Sequence, residues 1–200
     1  MQRKAIINRK SKETQSKGTL NIDGKGLSKI KTPIGFLNHM LDLFTFHGFF
    51  DLTLDIKGDT DVDTHHSNED IGIVLGKLYK DALGHKIGIK RFGSAFAPME
   101  DTLGHTVIDL SGRGCSTFEI DVDKNIKDQE GYNYEYLEHF LESFAHNLGA
   151  TICVEIVHAS KDIHTNVETV FKSLGMALDQ AAAVDPRRKG KVPSTKGIID

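Results

Sequence analysis

Ten histidines stand among 200 residues, and several recur at spacings that suit metal ligation. His65 and Glu69 lie one helical turn apart, as do His164 and Glu168. On a helix this spacing puts an imidazole nitrogen and a carboxylate oxygen on one face, where they can share a cation. His66 is rotated from His65 by about 100° in a helix, so a ligand role for it points to a different ion. Imidazole with carboxylate suits Mn, Fe, Co, Ni or Zn without choosing among them. His39 and His139 each sit in an otherwise apolar helical pattern, where a hydrogen-bonded core histidine is the plainer reading.

Duplication weighs against that plainer reading. Residues 36–44 match 136–144, and 65–69 match 164–168, at a nearly constant offset of about 100 residues, the mark of two like halves packed about a pseudo-twofold axis. The repeat is incomplete at one place: Thr165 stands where His66 stands in the first copy. A threonine hydroxyl is a poor ligand for a divalent transition metal, so the second cluster cannot copy the first in full. His47 and His146 fall near helix ends, where a cap or dipole contact suffices, and His85, His105 and His158 have no partner spacing. Residues 59–64 begin like a calcium loop, but Thr64 occupies the glycine position and Asp70 the place of the bidentate glutamate.

Positioning these groups requires helices, and apolar residues three or four apart predict them over 35–46, 68–83, 136–148 and 166–182. Short alternating runs predict strands over 19–23, 52–56, 106–110 and 151–156, giving an α/β order. With 38% hydrophobic and 26% charged residues, one domain over 1–200 is expected, built from repeats of 1–92 and 93–200. A net charge of -3 lacks the positive field of a nucleic-acid binder. No segment approaches the roughly 20 apolar residues that span a bilayer. Cys115 and Cys153 match neither a CxxC motif nor a secreted disulfide framework, and read as free thiols of a cytoplasmic protein. Arg91, Arg113, Lys172 and Lys196, the last beside Ser194, lie near glycines or hydroxyls and could hold phosphate oxygens, although any one of them alone reads as solvated charge.

Together the segments Glu13-Thr14, Gly35-Phe36-Leu37-Asn38-His39-Met40-Leu41, His65-His66-Ser67-Asn68-Glu69-Asp70, Asp109-Leu110-Ser111-Gly112-Arg113, Glu138-His139-Phe140, Phe171-Lys172 and Pro193-Ser194-Thr195-Lys196-Gly197 resemble the imidazoleglycerol-phosphate dehydratases of histidine biosynthesis, in order and over nearly the whole chain. The resemblance implies an α/β (α+β) fold of two ribosomal protein S5 domain 2-like halves, with two four-stranded sheets enclosing helices, in a shell of 24 subunits. It implies two Mn²⁺ ions per subunit, held between subunits. One ion would take His39, His66, His164 and Glu168. The other would take His65, Glu69 and His139, with Thr165 where the family has a further ligand.

By the same resemblance Arg91, Arg113, Lys172, Ser194 and Lys196 would hold the substrate phosphate, and Glu13 and Glu168 would move protons. The implied reaction removes water from D-erythro-imidazole-glycerol phosphate to give imidazole-acetol phosphate. The chain departs from the family pattern at Glu100-Asp101, whose acids are in reversed order, at Leu43 in place of a glutamine, and at Gly114 in place of a proline. Two other readings fit the same residues: a catalytically impaired, metal-assembled homologue, and a di-metal hydrolase of a small phosphorylated metabolite.

Overall fold

A computed structural model describes residues 3–10, 14–58, 64–122, 126–128, 131–188 and 190–199. One element order runs twice along them. The first half is β1 (Lys4–Lys10), β2 (Thr14–Asn21), β3 (Ser28–Lys31), α1 (Gly35–His47), β4 (Asp51–Gly58) and α2 (Thr64–Leu83). The second is β5 (Phe92–Met99), β6 (Thr102–Asp109), β7 (Cys115–Ile120), α3 (Tyr134–Leu148), β8 (Thr151–His158) and α4 (Ile163–Ala182). Each half forms a four-stranded sheet, ordered β1-β2-β4-β3 and β5-β6-β8-β7. In both, the first pairings are antiparallel and the last, β3 with β4 and β7 with β8, is parallel. A parallel pair needs a crossover, and α1 and α3 supply it.

The two sheets lie outside and the helices between them. α1 and α2 rest on the first sheet and α3 and α4 on the second, while α2 packs on α3 and α1 on α4 across the middle. Strand alternation sets this up: Leu52, Leu54 and Ile56 of β4 and Ile152, Val154 and Ile156 of β8 turn inward, and their neighbours face out. Phe44, Tyr79 and Phe144, all fully buried, meet edge to face at centroid distances of 5.8 to 6.2 Å and join the halves at the centre. Phe44 and Phe144 each contribute about 1.5–3 kcal/mol by leaving water.

Glycine lets the helices approach closely enough to bring ligands on different helices together. A Cβ on Gly76 would lie 2.7 Å from the Phe144 carbonyl oxygen, and one on Gly175 would collide with that of Phe44. Among the described residues no helix is long and apolar enough to cross a membrane.

Three helices begin earlier than their apolar spacing predicts. α4 starts at Ile163 because Asp162 caps it, accepting the His164 N–H at 3.0 Å. Asn133 caps α3 in the same way through Tyr136 N–H at 2.9 Å, and α2 starts at Thr64. The strands β1, β3, β5 and β7 were not among those predicted. β5 turns Gly93, Ala95 and Ala97 inward, residues too small to register as an apolar alternation, and α4 lies against them. The calcium-like residues 59–63 lie outside the described residues, as does Glu13.

Candidate metal centre

α1 and α4 cross so that His39, His164 and Glu168 each offer one ligand atom, all within 4.8 Å of one another. His39 Nε2 lies 3.6 Å and His164 Nε2 3.3 Å from the same oxygen, Glu168 Oε2. The two rings stack with centroids 5.4 Å apart. Glu168 is buried, and its other oxygen, Oε1, is 2.5 Å from Lys172 Nζ one turn along the helix. Burial alone would push this carboxyl up, but the Lys172 hydrogen bond and charge, with His39 and His164 nearby, outweigh it and hold the group below its ordinary value. The result is an ionised carboxylate with one oxygen turned to two imidazoles, a donor set that fits a divalent transition metal.

A second group forms where α2 meets α3. His65 Nδ1 and His139 Nδ1 are 3.1 Å apart, with the rings at right angles. They line an open depression of about 1040 Å³ together with Glu69, Ile73, Cys115, Glu142 and His146. Glu69 is exposed there and makes no hydrogen bond or ion pair among the described residues. His66 is exposed, its ring 5.9 Å from that of His65, and among the described residues it makes no contact with His39, His164 or Glu168. Thr165 is buried and its hydroxyl donates to Asp162 Oδ2 at 3.0 Å, so within the chain it serves the helix cap.

The candidate phosphate residues are spread over three places. Arg91 forks onto Asp109, with Nε at 2.6 Å and Nη2 at 3.0 Å, and its Nη1 donates to the Pro193 carbonyl at 3.0 Å. This brings the loop of Ser194 and Lys196 beside Arg91, and Ser194 Oγ there accepts the Lys196 N–H. Arg113 is exposed on the turn before β7, next to the depression, and Lys172 sits at Glu168.

Sequence reasoning missed Asp70. Its buried carboxylate accepts from Arg9 Nη1 at 2.7 Å and from Thr14 Oγ1, tying the ends of β1 and β2 to the helix that carries His65. Its position directly after Glu69 was the available signal. Asp109 and Asp162, the partners of Arg91 and Thr165, were missed as well, because their contacts are with other candidate residues and carry no motif of their own.

Comparison with known proteins identifies the family. The family profile described as Imidazoleglycerol-phosphate dehydratase matches residues 32–178. The chain is 47% identical over 199 residues to the imidazoleglycerol-phosphate dehydratase of Bacillus pumilus, covering 98% of this chain and 100% of that one. It is 48% identical over 199 residues to that of Geobacter metallireducens, covering both in full at 100%. Among solved structures, the Pyrococcus furiosus enzyme in complex with (S)-C348 superposes with a TM-score of 0.81 at 32% identity, covering 96% of this chain and 99% of that one. The Staphylococcus aureus enzyme gives a TM-score of 0.79 at 31% identity, covering 91% and 99%. Agreement in sequence and fold, with a histidine-glutamate cluster built on a buried glutamate, means that the chain belongs to the imidazoleglycerol-phosphate dehydratase family, metal-dependent hydro-lyases of histidine biosynthesis that act on a small phosphorylated substrate.

Proposed function

We propose that this dehydratase works with two Mn²⁺ ions per chain, one at His39, His164 and Glu168 and one at His65, Glu69 and His139, within a cytoplasmic shell of 24 copies. His66 would complete the first set from a neighbouring copy. The chain would act as one domain over 1–200, with repeats meeting near residue 92. The observation that carries this reading is the convergence of three ligand atoms within 4.8 Å between α1 and α4. When bound, the ions would supply Lewis-acid polarisation of the substrate's imidazole ring, which eases loss of the neighbouring hydroxyl.

The chain's own groups do the remaining work. Glu168, kept ionised beside Lys172, can accept a proton as well as ligate, and Glu13 is the second candidate for proton transfer. Arg91, Arg113, Lys172, Ser194 and Lys196 would hold the phosphate and so orient the carbon skeleton. In one chain they stand in three places, which favours a pocket completed by neighbouring copies. Loss of water and of the carbon-bound proton leaves an enol, which tautomerises to the ketone product.

Protein stripped of metal, dialysed against Mn²⁺ and analysed for metal per chain should carry two ions and form the ketone only when loaded. Turnover by fully stripped protein would overturn the reading, and one ion per chain would remove the second site. The buried Thr165, bonded to Asp162, favours the α2–α3 site as the weaker of the two.

A further inference from the structure

Glu168 and Glu69 occupy matching places in the two halves, each one helical turn after a histidine. What stands one turn further on differs. After Glu168 it is Lys172, whose ammonium lies 2.5 Å from Oε1 and also 3.8 Å from the Met99 sulfur. After Glu69 it is Ile73, an apolar side chain lining the same depression. One carboxylate therefore has an oxygen already engaged, and the other has none engaged among the described residues.

We propose that Lys172 is a positioning residue that reserves one oxygen of Glu168, leaving only Oε2 to the cation, while Glu69, with Ile73 in the matching place, offers both of its oxygens. The inference rests on the two-site reading given above. Two physical consequences follow. The ammonium fixes the carboxylate plane so that Oε2 stays turned to His39 and His164, at 3.6 and 3.3 Å, before any ion arrives. It also places a positive charge beside the ion, so the α1–α4 site binds less tightly than its ligands alone would allow. An ammonium has three donors, so with one on Glu168 and one toward the Met99 sulfur, a third remains open to an anionic group of the substrate. Lys172 thereby ties substrate and metal carboxylate to one point.

The test uses the full-length protein equilibrated with limiting Mn²⁺, and measures bound metal per chain by elemental analysis and Mn²⁺ electron paramagnetic resonance. Lys172→Met should retain Mn²⁺ on the order of tenfold more tightly against a chelator, because the competing charge is gone and the second oxygen is freed. Lys172→Arg should restore wild-type retention. Unchanged or weaker retention in Lys172→Met would overturn the proposal. Should Lys172→Met fail to fold, Ile73→Lys carries the test from the other side, since the added ammonium should weaken retention at Glu69 by a similar factor, and unchanged retention there would overturn the proposal. Failure of the two-site reading is separable, because wild-type protein would then bind one Mn²⁺ or none before any variant is made.

Discussion

At the α1–α4 crossing the candidate ligand group is assembled inside one chain, with a buried carboxylate, a lysine partner and two stacked imidazoles. At the α2–α3 crossing two imidazoles face each other over an open depression, and the carboxylate is exposed. The scaffolds beneath are alike, since each crossing depends on a helical glycine lying against a carbonyl of the partner helix. Both halves thus keep the backbone device that sets helix separation, whereas the polar residues upon it have diverged. Geometry is shared and chemistry is local, because backbone contact tolerates no side chain at Gly76 or Gly175 while a surface turn tolerates either Ile73 or Lys172.

Removing the carboxylate should break the comparison most sharply. Glu168→Gln is expected to lose metal from the α1–α4 group and to shift sedimentation toward smaller assemblies. Mutating outer partners of metal ligands costs about 10–100-fold in affinity, and a direct ligand should cost at least as much. Unchanged metal content and sedimentation would mean that the two crossings do not differ in the way described.

The next effect concerns the scaffold. Gly175→Ala and Gly76→Ala should each destabilise the fold by about 1–3 kcal/mol through overpacking, although alanine is the better helix former. Denaturant midpoints of the two variants, compared side by side, would sharpen the claim that both crossings use one device; a neutral result at either position would confine it to the other.

The smallest effect separates the halves by acid. Asp51, which opens β4, accepts the N–H groups of Lys25 at 2.8 Å and Leu27 at 3.2 Å, and Thr151 opens β8 in the corresponding place. The Lys25 hydrogen bond, foremost, holds Asp51 below its ordinary value of 3.8. Because the folded form is the stronger acid, its stabilisation is present above that ordinary value and is lost as pH falls through the lowered one. Protection of the Lys25 and Leu27 amides, as exchange relative to the free-chain rate at each pH, should therefore fall in acid in the wild type, and be low already at neutral pH in Asp51→Ala. Equal protection in both would refute the assignment.

Much of the scaffold could be read from apolar periodicity, because helices α1 to α4 each bury a broad face and the central strands β4 and β8 alternate cleanly. The edge strands could not. β3, Ser-Lys-Ile-Lys, has only Ile30 to turn inward, and β7 is exposed or half-buried throughout, so neither carries an apolar rhythm. The candidate metal residues were legible as pairs within a helix, through the histidine-to-glutamate spacing. That His39 joins His164 and Glu168, and that His139 meets His65, depends on helix crossings that no local pattern encodes. Lys172 was read as a phosphate ligand, and its hold on Glu168, also a one-turn spacing, went unread because a cation near glycines suggested an external anion first.

The facing nitrogens of His65 and His139, 3.1 Å apart, leave space between them for one hydrogen nucleus and no more. In the isolated chain that hydrogen bridges α2 and α3 and occupies the place a cation would claim. A cation loading this end of the molecule would therefore have to exchange with the bridging hydrogen, which would move to the far side of a ring or into solvent.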